Sequence, residues 1–370
     1  MFLSSLSLEN YRSYKKKIFS FSKEITVVVG ENTAGKTNLL EAIYLLATGK
    51  SFRAEKEAEA INWSADFAKI KALVLTENLP YEEKVTKELE IIIVNQVRPD
   101  SGQKNDGKSL KSKKYLINKV AKRQLDFLGN LYAVMFSPTD LELISSSPSL
   151  RRRYLDLVLV QLDRAYRRSL HLYEKGLRQR NRLLERIRDE GISSGQLLFW
   201  NDLLVKNGGY LNNLRMEFLN FLNHLPKKGS QFSIYYDQSE ISEARLKQYA
   251  QEEILAATTL VGPHRDDFRI FLEKENQPSH KIDINLYASR GEQRMGVLWL
   301  KIGELEFLKE KTGKVPILLL DDIFSELDEN HREEVLQIIS RGQTIITTTD
   351  VDKVEGILKD IQIINLDQRF

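Results

Sequence analysis

Cysteine is absent from this 370-residue chain, which excludes both a disulfide framework and a thiolate metal site. Histidine is scarce, with five in the chain, and that weakens any reading as a histidine-built metal centre. No run approaches the roughly 18 consecutive apolar residues that a membrane-spanning helix needs, and the opening Met-Phe-Leu-Ser-Ser lacks a basic signal-peptide region. Excess charge of one sign is also missing. The formal net charge is +3, too small to argue for nucleic acid by itself, so local clustering matters more. What remains is 42% hydrophobic and 29% charged, an ordinary soluble composition at a length that suggests about two domains. A cytoplasmic protein is the expectation.

Residues 1 to about 145 read as strand-rich with one strong helix. Strand candidates are Leu6 to Leu8, Ile18 to Phe21, Ile25 to Val29, Glu88 to Val94, Tyr115 to Ile117 and Tyr132 to Phe136; the helix runs from Asn38 to Ala47. The Ser-, Gly-, Asn- and Lys-rich segment from Pro99 to Lys114 is expected to be an exposed hairpin loop. From Leu150 apolar residues recur at three- and four-residue steps: Leu155, Leu159, Leu162, Tyr166, Tyr173, Leu177, Leu184 and Ile187. After a Gly/Ser-rich turn the rhythm resumes with Trp200, Leu204, Leu211, Leu214, Phe218 and Phe221, predicting two long helices in a coiled-coil-like hairpin. A short strand from Phe232 to Tyr236 and a helix lead back. Strands are expected again at Phe268 to Leu272, Ile282 to Leu286, Ile317 to Leu320 and Thr344 to Thr348. The helical module is thus inserted into a discontinuous α/β unit, with parts 1–148, 149–258 and 259–370.

Two distant motifs carry chemistry. Gly30, Glu31, Asn32, Thr33, Ala34, Gly35, Lys36 and Thr37 fit G-x-x-x-x-G-K-[ST], after a buried strand and before a helix. Glycines there let backbone N–H groups turn in around phosphate oxygens, and the following helix adds a favourable dipole. Lys36 would reach the β- and γ-phosphates and the Thr37 hydroxyl would ligate Mg²⁺. Much later, an apolar run ends in Asp321-Asp322. Asp321 suits magnesium binding at a strand end, and Asp322 would polarise an attacking water. Ser289, Arg290, Gly291, Glu292 and Gln293 offer a hydroxyl, a bare backbone and a helix N-terminus able to grip a γ-phosphate. The same letters also make an ordinary N-cap and first turn.

As a set these features resemble the ABC-type ATPase head shared by structural-maintenance-of-chromosomes proteins, the Rad50 family and RecF. Further residues resemble the RecF family in particular: Leu6 to Tyr14, Thr48 to Arg53, Phe136 to Leu141, Ser149 to Asp156 and Gly262 to Asp267. The short helical arm agrees. The resemblance implies an α/β fold: an ABC-type head with a mixed sheet and an antiparallel β subdomain, plus the inserted helical hairpin. It implies Gly30 to Thr37 as Walker A, Asp321 as Walker B, Asp322 at the catalytic position and Ser289 to Gln293 as a signature acting in trans. It further implies Ser325, Glu326, Leu327 and Asp328 as the D-loop, and Arg12 as a basic residue on the adenine side. Transporter ATPases keep a switch histidine where this chain reads Thr347 to Asp350, so slow hydrolysis is expected.

The implied cofactors are ATP and Mg²⁺. The implied behaviour is a slow, DNA-stimulated ATPase whose ATP-driven homodimer clamps duplex DNA beside single-stranded gaps. Partners by the same resemblance are RecR and RecO, and indirectly RecA, in DNA replication, DNA damage repair and the SOS response; the expected location is cytoplasmic and nucleoid-associated, with no membrane. Lys104, Lys108, Lys111, Lys113 and Lys114 are candidate DNA contacts, as are Arg151 to Arg153. For the lysines a solvated loop is an equal alternative; for the arginines, pairing within the chain with Asp156, Asp163 or phosphate-site acids. His264 is read as structural or coupling. Two rivals stay open: a head that works as a protein-recruitment switch with weak DNA affinity, and a small-molecule P-loop ATPase.

Overall fold

The computed structural model describes residues 1–54, 57–76, 85–95, 113–225, 231–273, 281–323, 335–336, 339, 341–350, 358 and 360–366. The chain divides into two compact units, Met1–Pro138 with Leu308–Phe370, and Thr139–Phe307. Among the described residues no helix is long and apolar enough to cross a membrane.

The first unit holds two sheets. Strands β1 (Phe2–Tyr11), β2 (Tyr14–Ser20), β4 (Phe67–Thr76), β5 (Val85–Val94), β6 (Lys113–Ile117) and β7 (Val120–Lys122) form an antiparallel sheet in the order β2-β1-β4-β5-β6-β7. Strands β3 (Ile25–Val29), β8 (Ala133–Phe136), β12 (Ile317–Asp321), β13 (Thr344–Thr348) and β14 (Ile361–Asn365) form a parallel sheet, β14-β3-β13-β12-β8. β12 and β13 are buried at every position, as expected of strands covered on both faces. Gln343, 5% exposed, stitches the two sheets together: its amide accepts from Leu3 N at 2.7 Å and donates to the carbonyls of Leu3 and Ser22, each at 2.7 Å.

β4, β7 and β14 lie outside the strands expected from sequence. Alternation is present in β4, with Ala68, Ile70, Ala72 and Val74 fully buried, but two inward positions are alanine and Leu73 and Leu75 face the other way. The contrast between faces is therefore low.

The arm of the second unit is built on the helices Pro148–Leu162, Arg164–Glu190 and Leu198–Asn223. The first arm helix expected from the apolar rhythm is thus two helices, because the chain is extended at Asp163 (φ −114°, ψ 123°). The Asp163 carboxylate accepts from Ala165 N at 2.8 Å and Tyr166 N at 3.2 Å, and so starts a new helix. The last two helices pair antiparallel, since Arg180 bonds Asn201 while Asp163 accepts from the Tyr210 hydroxyl. A Cβ at Gly176 would meet Leu203 Cδ2 at 2.5 Å, so glycine permits the close approach.

Strands β9 (Gln231–Asp237), β10 (Asp267–Glu273) and β11 (Lys281–Asp283) make a small antiparallel sheet in this unit. The strand expected over Ile282 to Leu286 stops at Asp283. Its carboxylate accepts from Asn285 N at 2.9 Å and turns Ile284–Tyr287 into a helical turn.

Two buried polar networks knit the arm. Arg180, 2% exposed, donates to Glu253 at 2.6 Å, Thr259 Oγ1 at 2.8 Å and Asn201 Oδ1 at 2.7 Å. Arg215, 2% exposed, donates to Asp266 at 2.8 Å, Asp156 at 2.8 Å and the Pro263 carbonyl at 2.7 Å.

Beside the second network, His264 Nε2 sits 3.0 Å from the Thr259 carbonyl and Nδ1 sits 2.8 Å from the Tyr173 hydroxyl. The carbonyl can only accept, so Nε2 carries the proton and Tyr173 donates to Nδ1. Burial, which disfavours the charged form, pushes His264 down to about 4. The unfolded imidazole, near 6.5, therefore binds protons that the folded one refuses. Stability from this group is complete above pH ~6.5 and is lost as pH falls through about 4, by roughly 3 kcal/mol at most. Urea titrations of the wild type and His264→Gln should show a stability gap at pH 7 that closes by pH 4. A gap that stays constant would mean the imidazole is not held neutral.

Candidate nucleotide site

β3 delivers the chain to Gly30 at the carboxyl end of the parallel sheet, and the helix Lys36–Thr48 leaves from Gly35. Gly35 has φ 99°, and a Cβ there would meet the Tyr14 hydroxyl at 2.9 Å and Ser13 Oγ at 3.0 Å. Glycine is required on both counts. Tyr14 also donates its hydroxyl to the Gly35 carbonyl at 3.0 Å, bracing the loop with the β1–β2 hairpin. Lys36 is 8% exposed and folds back over the loop, donating to the carbonyls of Gly30 at 2.6 Å and Glu31 at 2.9 Å.

Asp321 ends β12, and β13 separates β12 from β3. Thr37 nevertheless reaches it: its hydroxyl lies 2.9 and 3.1 Å from the two Asp321 carboxylate oxygens, across 284 residues of sequence. Asp321 also accepts from Thr347 Oγ1 at 2.7 Å, because Asp321 and Thr347 are register partners on β12 and β13. Thr347 opens the segment that stands in the switch-histidine place, but its bond to Asp321 was not expected from sequence; that contact depends on strand order, which no local signal carries. Asp322 follows with φ 50°, its N–H bonded to the Thr347 carbonyl at 3.1 Å and hydroxyl at 3.2 Å. That left-handed backbone is uncommon outside glycine and fixes where Asp322 departs from the strand.

Arg12 also belongs to this unit and has φ 52°. Its guanidinium forms a fork on Glu41 at 2.7 and 2.9 Å and donates to the Glu59 carbonyl at 2.7 Å. Glu41 is fully buried and accepts from the Ser51 hydroxyl too. Arg12 is therefore anchored within the fold, and the Glu41–Ser51 pair that anchors it was not singled out from sequence.

The segment Ser289 to Gln293 lies in the second unit, at the start of the helix Arg290–Thr312. It forms a reciprocal cap: Ser289 Oγ donates to Glu292 Oε2 at 2.9 Å, Glu292 N donates back at 3.3 Å, and Ser289 N donates to Glu292 Oε2 at 2.7 Å. Gln293 donates to the Ile284 carbonyl at 2.9 Å, while Arg290 and Gly291 are exposed. Leu286 and Tyr287, just upstream, are 66% and 73% exposed.

The basic candidates separate. Lys113 is no free surface cation: its side chain is 8% exposed, paired with Glu57 at 2.8 Å and bonded to the Gly49 carbonyl at 3.1 Å. Lys114 is exposed. Lys104, Lys108, Lys111 and the segment Ser325 to Asp328 lie outside the described residues. Arg151 pairs with Asp267 at 2.6 and 3.0 Å and Arg152 donates to the Asp266 carbonyl at 2.8 Å, so both serve the fold, with partners other than the acids expected.

Residues 2–369 match the RecF/RecN/SMC N-terminal domain family. The chain is 37% identical to the "DNA replication and repair protein RecF" of Herpetosiphon aurantiacus, covering 95% of this chain and 94% of that one. It belongs to the RecF family. The RecF of Bacillus cereus (strain B4264) is 34% identical over 99% of this chain and 97% of its own. Among solved structures, "Structure of the recombination mediator protein RecF-ATPrS in RecFOR pathway" matches with a TM-score of 0.81 and 30% identity over 97% of each chain. A structure of the SMC head bound to the C-terminal winged-helix domain of ScpA, at 17% identity and a TM-score of 0.52, shares the fold over all of this chain and 95% of its own. RecF membership thus extends over both units, arm included.

Proposed function

We propose that this chain is an ATP-binding, ABC/SMC-type ATPase of DNA replication and repair that dimerises on ATP and clamps duplex DNA beside single-stranded gaps. The observation that carries this reading is the joining of Thr37 to Asp321 by hydrogen bonds of 2.9 and 3.1 Å beside the loop holding Lys36. A hydroxyl and a carboxylate are hard oxygen donors that suit Mg²⁺, and a loop of this glycine pattern at a helix N-terminus suits phosphates.

In this reading Gly30 to Thr37 hold the triphosphate, and Thr37 and Asp321 hold the magnesium, which would neutralise phosphate charge when bound. Lys36 exchanges its loop carbonyls for phosphate oxygens. Asp322 orients the attacking water, and Thr347 holds the Asp321 carboxylate in place. The Ser289 to Gln293 segment meets the nucleotide of a second copy, and Leu286 and Tyr287 give that face apolar surface. Ser289 must then release Glu292 so that its hydroxyl can donate to phosphate. Ser325 to Asp328 would act as the D-loop, and Lys104, Lys108, Lys111 and Lys114 as phosphate contacts. The RecFOR context of the structural relatives supports RecO and RecR as partners, and RecA loading is the outcome this reading expects.

Sedimentation with ATP, ADP or no nucleotide, each with and without gapped duplex, tests the reading. An ATP-specific dimer that carries DNA is expected. Asp322→Asn should accumulate that dimer, with turnover lowered about 100-fold, within the range for losing one general base. A monomer indifferent to ATP and DNA would favour the recruitment-switch alternative.

A further inference from the structure

The helix Arg164–Glu190 buries Tyr166, Leu170, Tyr173, Arg180 and Leu184 on one side. On the other it presents Arg168, His171, Lys175, Arg178 and Arg182, all exposed. Their spacing alternates three and four residues. At about 100° per residue all five fall within an arc of about 80°, and they run for about 21 Å along the axis. Among the described residues none of the five has a hydrogen-bond or ion-pair partner. This contrasts with the arginines further along the same helix, where Arg186 pairs with Glu190 and Arg188 with Asp189. Between Arg168 and Arg182 the one acid is Glu174, about 40° outside the arc.

We propose that this face of the arm is a track for the phosphate backbone of duplex DNA. It uses none of the residues assigned to the nucleotide site or to the Lys104 to Lys114 segment, and it rests on the DNA-clamp reading above. Three physical points favour a duplex. The cations are left unneutralised on a rigid helix, which gives them little ordering entropy to lose on binding a fixed array of charges. B-form DNA offers about one phosphate charge per 1.7 Å of axis, so a 21 Å line of cations finds an acceptor at every turn. Single-strand binding relies on aromatic platforms for the bases, and this arc carries no Phe, Tyr or Trp. The arm's cations position the duplex without reading its sequence.

The test is a salt titration of binding to a fluorescein-labelled 40-base-pair duplex by the full chain with ATP. The quadruple variant Arg168→Ala, Lys175→Ala, Arg178→Ala, Arg182→Ala should bind about 10-fold or more weakly near 0.1 M salt. Its log–log salt slope should be shallower by about 2 to 4, close to 0.9 for each phosphate that the arm no longer neutralises. A control variant removes four exposed lysines elsewhere, Lys15, Lys16, Lys119 and Lys122, and should keep most of the affinity and slope. Equal losses in both variants would overturn the proposal in favour of a general charge effect. Unchanged affinity and slope in the arm variant would also overturn it and reassign the face to an acidic protein surface. A wild type that fails to bind the duplex would instead sink the DNA-clamp reading on which the proposal stands.

Discussion

Lys36→Ala should lower ATP affinity about 100-fold, the equivalent of one to two hydrogen bonds to a charged group, and should abolish the ATP-dependent dimer. Lys36 is held at the mouth of the loop by the carbonyls of Gly30 and Glu31, at 2.6 and 2.9 Å. Alanine keeps the helix-forming backbone, and the helix start is set by Gly35 at φ 99°. The variant should therefore remain folded by circular dichroism while calorimetry shows the loss of nucleotide binding. Undiminished ATP affinity in a folded variant would remove the site assignment.

Arg215→Met should destabilise the second unit by about 3–5 kcal/mol, the cost of leaving a buried carboxylate without its cation. Asp266 is fully buried, and besides Arg215 it accepts from Asn212 Nδ2 at 2.9 Å, Ser239 N at 2.8 Å and the Tyr236 hydroxyl. Those neutral donors cannot balance its charge. Among the described residues, Asp156, the other acid on Arg215, keeps the Tyr166 hydroxyl alone. The double variant Arg215→Met, Asp266→Asn should recover a large part of the loss, because it removes the stranded charge along with the cation. Equilibrium denaturation of the three proteins decides the matter. A single-variant loss below about 1 kcal/mol would show that water or rearrangement satisfies Asp266.

The sequence revealed whatever depends on short-range pattern. β3 has the bounds expected of it, and the helix after the loop is longer by two residues at its start and one at its end. These elements follow from apolar runs and glycine placement. The break at Asp163 was hidden because Leu159, Leu162 and Tyr166 keep helical spacing across it, while the single carboxylate that stops the helix looks like any surface acid. Asp283 ended a strand in the same way, through a bond to the N–H two residues on. β4 escaped because alanine marks half of its inward face. The bonds of Thr347 to Asp321 and of Arg12 to Glu41 were not readable, since they depend on which distant elements become neighbours. For Ser289 to Gln293, the cap anticipated from local letters is present; the trans role needs a second molecule to be seen.

The place of β3 in its sheet bears on how the protein is made. Both of its neighbours, β13 and β14, begin only at Thr344 and Ile361. During synthesis the phosphate loop therefore hangs from a strand with two open edges until those distant residues have left the ribosome. At about 5–20 residues per second, the 284 residues from Thr37 to Asp321 take roughly 15 to 60 seconds to emerge. A nascent chain is thus unable to assemble its ATP site early. Through that interval β3 is an apolar edge that a chaperone must shield or a neighbouring polysomal chain can capture. Chains truncated before Thr344 should accordingly fail by aggregation, and not merely by loss of activity.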